Sequence, residues 1–360
     1  MKSVRGINTF PGIGLYLHFI PEYFFIKLII DIFFKKVRCG DFFMKFTRRS
    51  LTLMAAAGGA GLFLSGIPDC RELKTVNKIK TDKVKKGLVL WYSQTGNTAR
   101  IGKLIAALWE STGIKVDSGD YRDLQNINPG DYDVIAAGCP VFYYEVPVNF
   151  RDWINGLESI NGTAVASFVT FGGAGGNQHN TAFNLLSLLA DKGGVPIGMG
   201  LFGAMSAYAP TWSTGNAKRV LKYKDQPDEK VYSRARGFAA EILNRVNEKK
   251  SFNASDEFTF SEYFKGGISI WGTKLLITGH RVNRDKCIGC GRCVKLCPVD
   301  AIFPEKGEVE TGKCITCMGC INNCPVNAVE MKFMGKEVYG FNEFLKRNKI
   351  KIKDPAEIIL

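Results

Sequence analysis

The sequence predicts a doubly wound parallel α/β sheet followed by a small, separate cysteine-rich α+β domain. Two observations carry this expectation. Short apolar runs alternate with amphipathic stretches from residue 87 to residue 247, and eight of the 11 cysteines crowd between Cys287 and Cys324. Length agrees, since 360 residues allow two domains or three. With 46% hydrophobic and 23% charged residues, wholesale disorder, collagen-like repeats and a polytopic membrane protein are excluded.

At the N-terminus, Met44 opens Lys45-Phe46-Thr47-Arg48-Arg49-Ser50, and residues 51–67 are uncharged and rich in Ala, Gly and Leu. A basic flank, paired arginines and an apolar stretch resemble a bacterial twin-arginine export signal, with Leu51 standing where such signals usually carry Phe. A short membrane anchor is the other reading of residues 44–70. Upstream, residues 15–34 are apolar yet include His18, Pro21, Glu22, Lys27 and Asp31, each costly in hydrocarbon. Residues 1–43 are therefore expected to be a mis-called extension, with translation starting at Met44. Cys70 follows Ile67-Pro68-Asp69, which lacks the small residues of a lipid-modification site.

The net charge of +14 invites a nucleic-acid reading until it is divided along the chain. Residues 1–70 and 71–87 contribute +5 each, leaving +4 for everything after them. The excess lies at the targeting end, so no nucleic-acid partner is expected. Residues 71–86 are polar and Lys-rich without apolar periodicity, and suit a linker.

Residues 87–250 form the first domain. Gly87-Leu88-Val89-Leu90-Trp91-Tyr92 suits a strand buried on both faces, and an amphipathic stretch follows to about Glu110. Residues 134–138, 164–171 and 195–202 read as further buried strands, with helical patterns at 148–154, 181–191 and 228–247. Ligands of such sheets sit beyond the carboxyl ends of the strands. At the first of those ends, Ser93-Gln94-Thr95-Gly96-Asn97-Thr98 supplies three hydroxyls, a glycine that permits close backbone approach and a helix start with free amides. A phosphate is the expected guest, although an ordinary capped helix would use the same residue types. Neither G-x-G-x-x-G nor a loop ending in Gly-Lys-Ser/Thr is present at this turn.

These residues resemble the flavodoxin family, whose first strand leads into Ser/Thr-x-Thr-Gly-x-Thr. The resemblance implies a sheet of order 2-1-3-4-5 and an FMN site with its phosphate held by Ser93, Gln94, Thr95, Gly96, Asn97 and Thr98. Two later loops support it: Cys139-Pro140-Val141-Phe142-Tyr143-Tyr144, and Phe171-Gly172-Gly173 leading into a glycine-rich run. By the same resemblance Pro140, Phe142, Tyr143, Phe171, Gly172 and Gly173 hold the isoalloxazine ring, with Tyr143 or Phe142 flanking it. Cys139 reads as a small buried residue, having no second cysteine nearby in sequence. His179 helps begin a helix or touches the flavin. The long connection over residues 203–227 either covers the flavin or docks on the C-terminal part.

Residues 251–280 carry Phe258, Phe260, Tyr263, Phe264, Trp271 and Leu275-Leu276-Ile277, too apolar for a flexible linker. They are expected to pack and to fix the second domain, residues 281–332. There Cys287-x2-Cys290-x2-Cys293-x3-Cys297-Pro298 recurs as Cys314-x2-Cys317-x2-Cys320-x3-Cys324-Pro325, 27 residues on. Three thiolates of each run cap three corners of a cubane and the fourth reaches across. One [4Fe-4S] cluster then takes Cys287, Cys290, Cys293 and Cys324; the other takes Cys314, Cys317, Cys320 and Cys297. Structural zinc or a disulfide knot would need no doubled third cysteine. Ile288, Val294, Ile302, Ile315 and Val329 are expected to exclude water from the clusters. This domain resembles the bacterial two-cluster ferredoxins, and residues 87–332 look like a fusion of the two families. The tail, residues 333–360, reads as a solvated face.

The function expected is electron transfer between two [4Fe-4S] clusters and FMN and onward to a redox partner protein or membrane redox complex. A flavin-dependent reductase of a quinone or other small substrate is the alternative, and a redox-silent module that keeps the fold without the flavin is a third. No catalytic His, Cys or acid pair stands out, which favours the carrier. The export resemblance implies a periplasmic location or the outer face of the cytoplasmic membrane, with membrane association through the N-terminal segment; an unused signal would leave the chain cytoplasmic.

Overall fold

The computed structural model describes residues 37–38, 71–73, 77–124, 126–173, 177–258 and 270–355. The expected extension and export signal lie outside the described residues, except for the two-residue strand Val37–Arg38, which pairs with Glu257–Phe258. No helix among the described residues is long and apolar enough to cross a membrane.

The first domain is a flavodoxin-like doubly wound sheet. Its strands are β1 (Lys86–Trp91), β2 (Lys115–Asp120), β3 (Val134–Pro140), β4 (Ala164–Gly172) and β5 (Val195–Ala204). They lie in the order β2-β1-β3-β4-β5, and every neighbouring pair is parallel. α1 (Asn97–Ser111) and α4 (Glu229–Asn247) cover one face, while α2 (Val148–Asn155) and α3 (Gln178–Asp191) cover the other. Coverage on both sides explains the apolar runs: Leu88, Val89 and Leu90 along β1 all lie in the core. β2 is an edge strand with no fully buried residue, and its sequence Lys-Val-Asp-Ser-Gly-Asp carries no apolar signal. Asp228 caps α4, its carboxylate accepting from the Val231 amide at 2.9 Å.

The second domain is built from α5 (Ile270–Leu276), β6 (Ile277–Val282), α6 (Arg292–Leu296), β7 (Ile302–Phe303), β8 (Glu308–Val309), α7 (Gly319–Asn323), β9 (Val329–Phe333), β10 (Lys336–Glu337) and α8 (Phe341–Arg347). β10, β9 and β6 form one antiparallel sheet, and β8 pairs with β7. The doubled cysteine run folds as two copies of one turn. α6 follows Gly291 and α7 follows Met318, both in the left-handed region, and each helix ends at an extended Cys before Pro. The amides of Ala301 and Ala328 then donate to the sulfurs of Cys297 and Cys324 at 3.2 and 3.1 Å.

Three segments differ from the sequence expectation, and a fourth, the long connection, combines the two roles expected as alternatives. Residues 71–86 do not hang free: the Leu73 amide donates to the Ala254 carbonyl, Lys80 to that of Gly162, and Ile79 and Val84 are buried. Single apolar residues among lysines give no periodicity to read. The tail beyond residue 332 buries Val338, Phe341 and Phe344 against Trp212, and the Lys353 carbonyl accepts from the Tyr232 hydroxyl at 2.7 Å. Residues 203–227 both dock on this tail and line the cavity described below. In the connector, Phe260, Tyr263 and Phe264 lie outside the described residues; of the rest, Trp271 and Leu275 are exposed and only Thr273 of α5 is buried.

Candidate functional site

The site forms where the carboxyl ends of β1, β3 and β4 meet α7. Gly96 at the start of α1 has φ +87°, which lets the chain turn from strand to helix with its amides facing outward. A Cβ on Gly96 would stand 3.0 Å from Arg100 Nη1, so the guanidinium lies over the loop. Arg100 Nε is paired with Asp354 at 2.7 Å, while Nη1 is buried with no hydrogen-bond partner. Asn97 Oδ1 and Gln94 Oε1 are likewise buried and unpartnered. Orphaned polar atoms around a helix N-terminus are costly unless a ligand satisfies them. The free amides fit a phosphate, and α1 has no acidic residue in its first turn to repel it; the Asn97 and Gln94 oxygens can only accept and call for a donor instead.

Thr98 and Thr170 tie this loop to β4 through a buried hydroxyl pair at 2.8 Å. Asn97 Nδ2 donates to the Met205 carbonyl at 3.0 Å. The second loop closes with reciprocal backbone hydrogen bonds between Phe142 and Glu145, leaving Tyr143 and Tyr144 between them at φ +49° and +65°. Two non-glycine residues in the left-handed region are strained and persist only where their surroundings hold them. Here the hold is the Tyr143 hydroxyl, 2.6 Å from Thr316 Oγ1 of the cysteine-rich domain, and the Tyr143 ring meets Tyr208 edge-on at 6.3 Å. Burial pushes both phenols above their ordinary pKa, so both keep their protons. In the third loop a Cβ on Gly172 would lie 2.4 Å from the Ser206 Cα, which explains why no side chain is present.

These loops enclose a cavity of about 420 Å³, in the size range of cofactor sites. Ser93, Gln94, Thr95, Asn97, Thr98, Pro140, Phe142, Tyr143, Phe171, Gly172 and Gly173 all line it. Gly96 does not; it faces an adjoining cleft with Asp120, Arg122 and Lys295. Sequence reasoning missed Met205, Tyr208 and Tyr223 from the long connection, and Cys317, Met318 and Asn322 from the other domain. Only the length of residues 203–227 pointed at the first group. His179 sits in the first turn of α3, its Nε2 2.9 Å from the Ser255 carbonyl, away from this lining. Cys139 is fully buried, and burial raises its thiol pKa.

The eight cysteines divide between two small cavities. One is bounded by Cys287, Cys290, Cys293 and Cys324, the other by Cys297, Cys314, Cys317 and Cys320. Each set thus takes three members of one run and the fourth of the other, and no group of three or more His, Cys, Asp or Glu among the described residues is arranged to hold a single metal ion. Four thiols spread around a cavity suit the corners of a cubane. The surroundings are unequal. Ile302 and Val329 are buried, but Ile288 and Val294, expected to exclude water, are exposed, and so is Cys290. The second set is the interior one: burial pushes the Cys317 thiol up to about 12, and Cys317 lies 3.5 Å from Gln94 Nε2 on the loop before α1.

Family models described as 4Fe-4S binding domains match residues 280–303 and 311–331. No curated protein matches the chain. Among solved structures, an archaeal flavodoxin is 17% identical over 45% of this chain and 98% of its own, with a TM-score of 0.34. Flavodoxin 1 of Bacillus cereus is 17% identical over 44% of this chain and 98% of its own, also at 0.34. A putative quinone reductase from Klebsiella pneumoniae is 10% identical over 45% of this chain and 84% of its own, at 0.32. The C-terminal domain therefore carries ferredoxin-type 4Fe-4S binding motifs, and the strand order alone identifies the N-terminal fold as flavodoxin-like.

Proposed function

We propose that the chain is an electron-transfer protein in which two [4Fe-4S] clusters and FMN form one relay. The observation that carries this reading is the shared cavity: Cys317 and Met318 line the same space as Ser93, Thr95 and Thr98. When bound, the clusters pass single electrons and the flavin holds one or two, so the set converts between one-electron and two-electron traffic.

The chain's own residues supply holding and shielding. The amides at the start of α1 take the phosphate, and Phe142, Tyr143 and Gly172 border the ring site. Cys297, Cys314, Cys317 and Cys320 hold the cluster nearest that ring. Cys287, Cys290, Cys293 and Cys324 hold the outer one, whose exposed Cys290 and Ile288 face solvent and an incoming redox partner protein or membrane complex.

Iron, acid-labile sulfide and extracted flavin, measured on full-length protein purified without oxygen, test the reading. Expected are about eight irons and one FMN per chain; colourless or zinc-loaded protein overturns it. Sustained turnover of quinones by the loaded protein would move the reading to the reductase. The paired arginines at Arg48 and Arg49 support export, for which cell fractionation of the native host is the measurement.

A further inference from the structure

The wall between the two domains holds an arrangement that the relay itself does not require. Tyr92 directly follows β1 and is fully buried, with its hydroxyl 2.5 Å from Gln94 Nε2. Gln94 Nε2 also lies 3.2 Å from the Leu296 carbonyl and 3.5 Å from Cys317 Sγ. A carbonyl oxygen can only accept, so the Leu296 contact fixes which end of the Gln94 amide points at the sulfur. The amide has two hydrogens: the Tyr92 oxygen accepts one, and the Leu296 carbonyl and Cys317 Sγ share the other. Gly319 makes the approach possible: a Cβ there would stand 2.0 Å from Gln94 Oε1.

No counterpart exists at the outer set. Among the described residues the sulfurs of Cys287, Cys290, Cys293 and Cys324 receive hydrogen bonds from backbone amides alone, such as Ala328 to Cys324 at 3.1 Å. The inner set adds Gln94 at Cys317 and the His280 ring at 3.5 Å from Cys320. Two effects compete there. Burial disfavours the more negative, reduced state and lowers a reduction potential, while donors to ligand sulfur stabilise that state and raise it.

We infer that Gln94 is a tuning residue whose amide Tyr92 holds in place: the flavin-side domain supplies a hydrogen-bond donor to Cys317 that raises the reduction potential of the inner cluster and offsets its burial. The inner cluster thereby stays reducible from the outer one, and the tuning exists only while the two domains are docked. The inference rests on the relay reading, and it assigns to two residues outside the cysteine-rich domain a role that no cysteine spacing reveals.

The test is a redox titration followed by EPR on reconstituted full-length protein, with Tyr92→Phe and Gln94→Met beside the unaltered chain. Tyr92→Phe keeps the shape of a fully buried ring and deletes one O–H. The inner cluster's midpoint should move to lower potential in both variants, with the outer cluster's midpoint unchanged. Electron-nuclear double resonance should show an exchangeable amide proton coupled to one cluster and lost in Gln94→Met, a readout that mere destabilisation does not produce. An unmoved midpoint with no coupled proton lost, or an equal shift of both clusters, overturns the inference. Absence of any [4Fe-4S] signal in the unaltered chain would instead remove the relay reading beneath it.

Discussion

The indole of Trp212 stacks on the ring of Phe344, centroids 4.5 Å apart and planes 28° from parallel. Trp212 belongs to the long connection after β5 and Phe344 to α8 at the far end of the chain, so the pair spans both domains. The Trp212 Nε1–H also donates to the Tyr339 carbonyl at 2.9 Å, satisfying the one polar atom that burial would otherwise strand. The same connection supplies Met205 and Tyr208 to the cavity wall. Packing of the tail and shape of the cofactor site are therefore one structural problem.

Phe344→Ala should be costly for that reason. Phe344 is fully buried, and truncating such a ring loses about 3–5 kcal/mol. Urea unfolding followed by far-ultraviolet circular dichroism should show the loss, and Phe344→Leu should recover most of it. Because the connection is released, flavin should bind more weakly in the alanine variant; unchanged flavin affinity would separate the tail from the site.

Gly96→Val tests the phosphate loop. At φ +87° a β-branched residue is strained by about 1–3 kcal/mol, and its side chain would press on Arg100 Nη1. Flavin affinity should fall at least about tenfold, equivalent to about 1.4 kcal/mol, while iron and sulfide content stay at the level of the unaltered chain. Fluorescence titration of apo-protein with FMN gives the first number and chemical analysis the second.

What the sequence disclosed follows the strength of each physical signal. β1, β3, β4 and β5 are covered on both faces and so read as unbroken apolar runs, whereas β2 lies at the edge with Lys115, Asp117 and Asp120 in six residues. The resemblance to two-cluster ferredoxins assigns Cys324 to the set of the first run, and the two cavities divide the eight residues the same way. Contacts between the domains left no pattern. Nothing about Tyr143 in isolation indicates that its hydroxyl reaches Thr316, 173 residues on. Phe341 and Phe344 are separated by Asn342 and Glu343 in a Lys-rich tail, so two buried rings passed for a solvated stretch. The opposite failure is Trp271, whose apolarity suggested packing but which is exposed.

Gly319→Val addresses the seam. The added atoms would overlap Gln94 Oε1 and Cδ, and overpacking of this kind costs about 1–3 kcal/mol. Both clusters should still assemble, since Gly319 is not a ligand in the predicted sets. Electron exchange between cluster and flavin should slow, read by stopped-flow absorbance after mixing with a one-electron reductant. An unchanged rate would mean that Gln94 can move aside without separating the domains.

Cysteine replacements distinguish the two cluster positions. Cys290 is exposed and does not line the cavity proposed for the flavin, whereas Cys317 lines it and touches Gln94 of the loop before α1. Cys290→Ala should remove roughly half of the iron and leave flavin absorbance and affinity as they were. Cys317→Ala should remove a similar share and also shift the flavin absorbance band, because the wall of its site has lost a side chain and the Gln94 donor has lost its acceptor. Equal effects on flavin from both replacements would contradict the placement of the inner set against the flavin cavity. Loss of all iron from either one would show instead that the two sets assemble together, as the exchange of Cys297 and Cys324 between the runs makes physically reasonable.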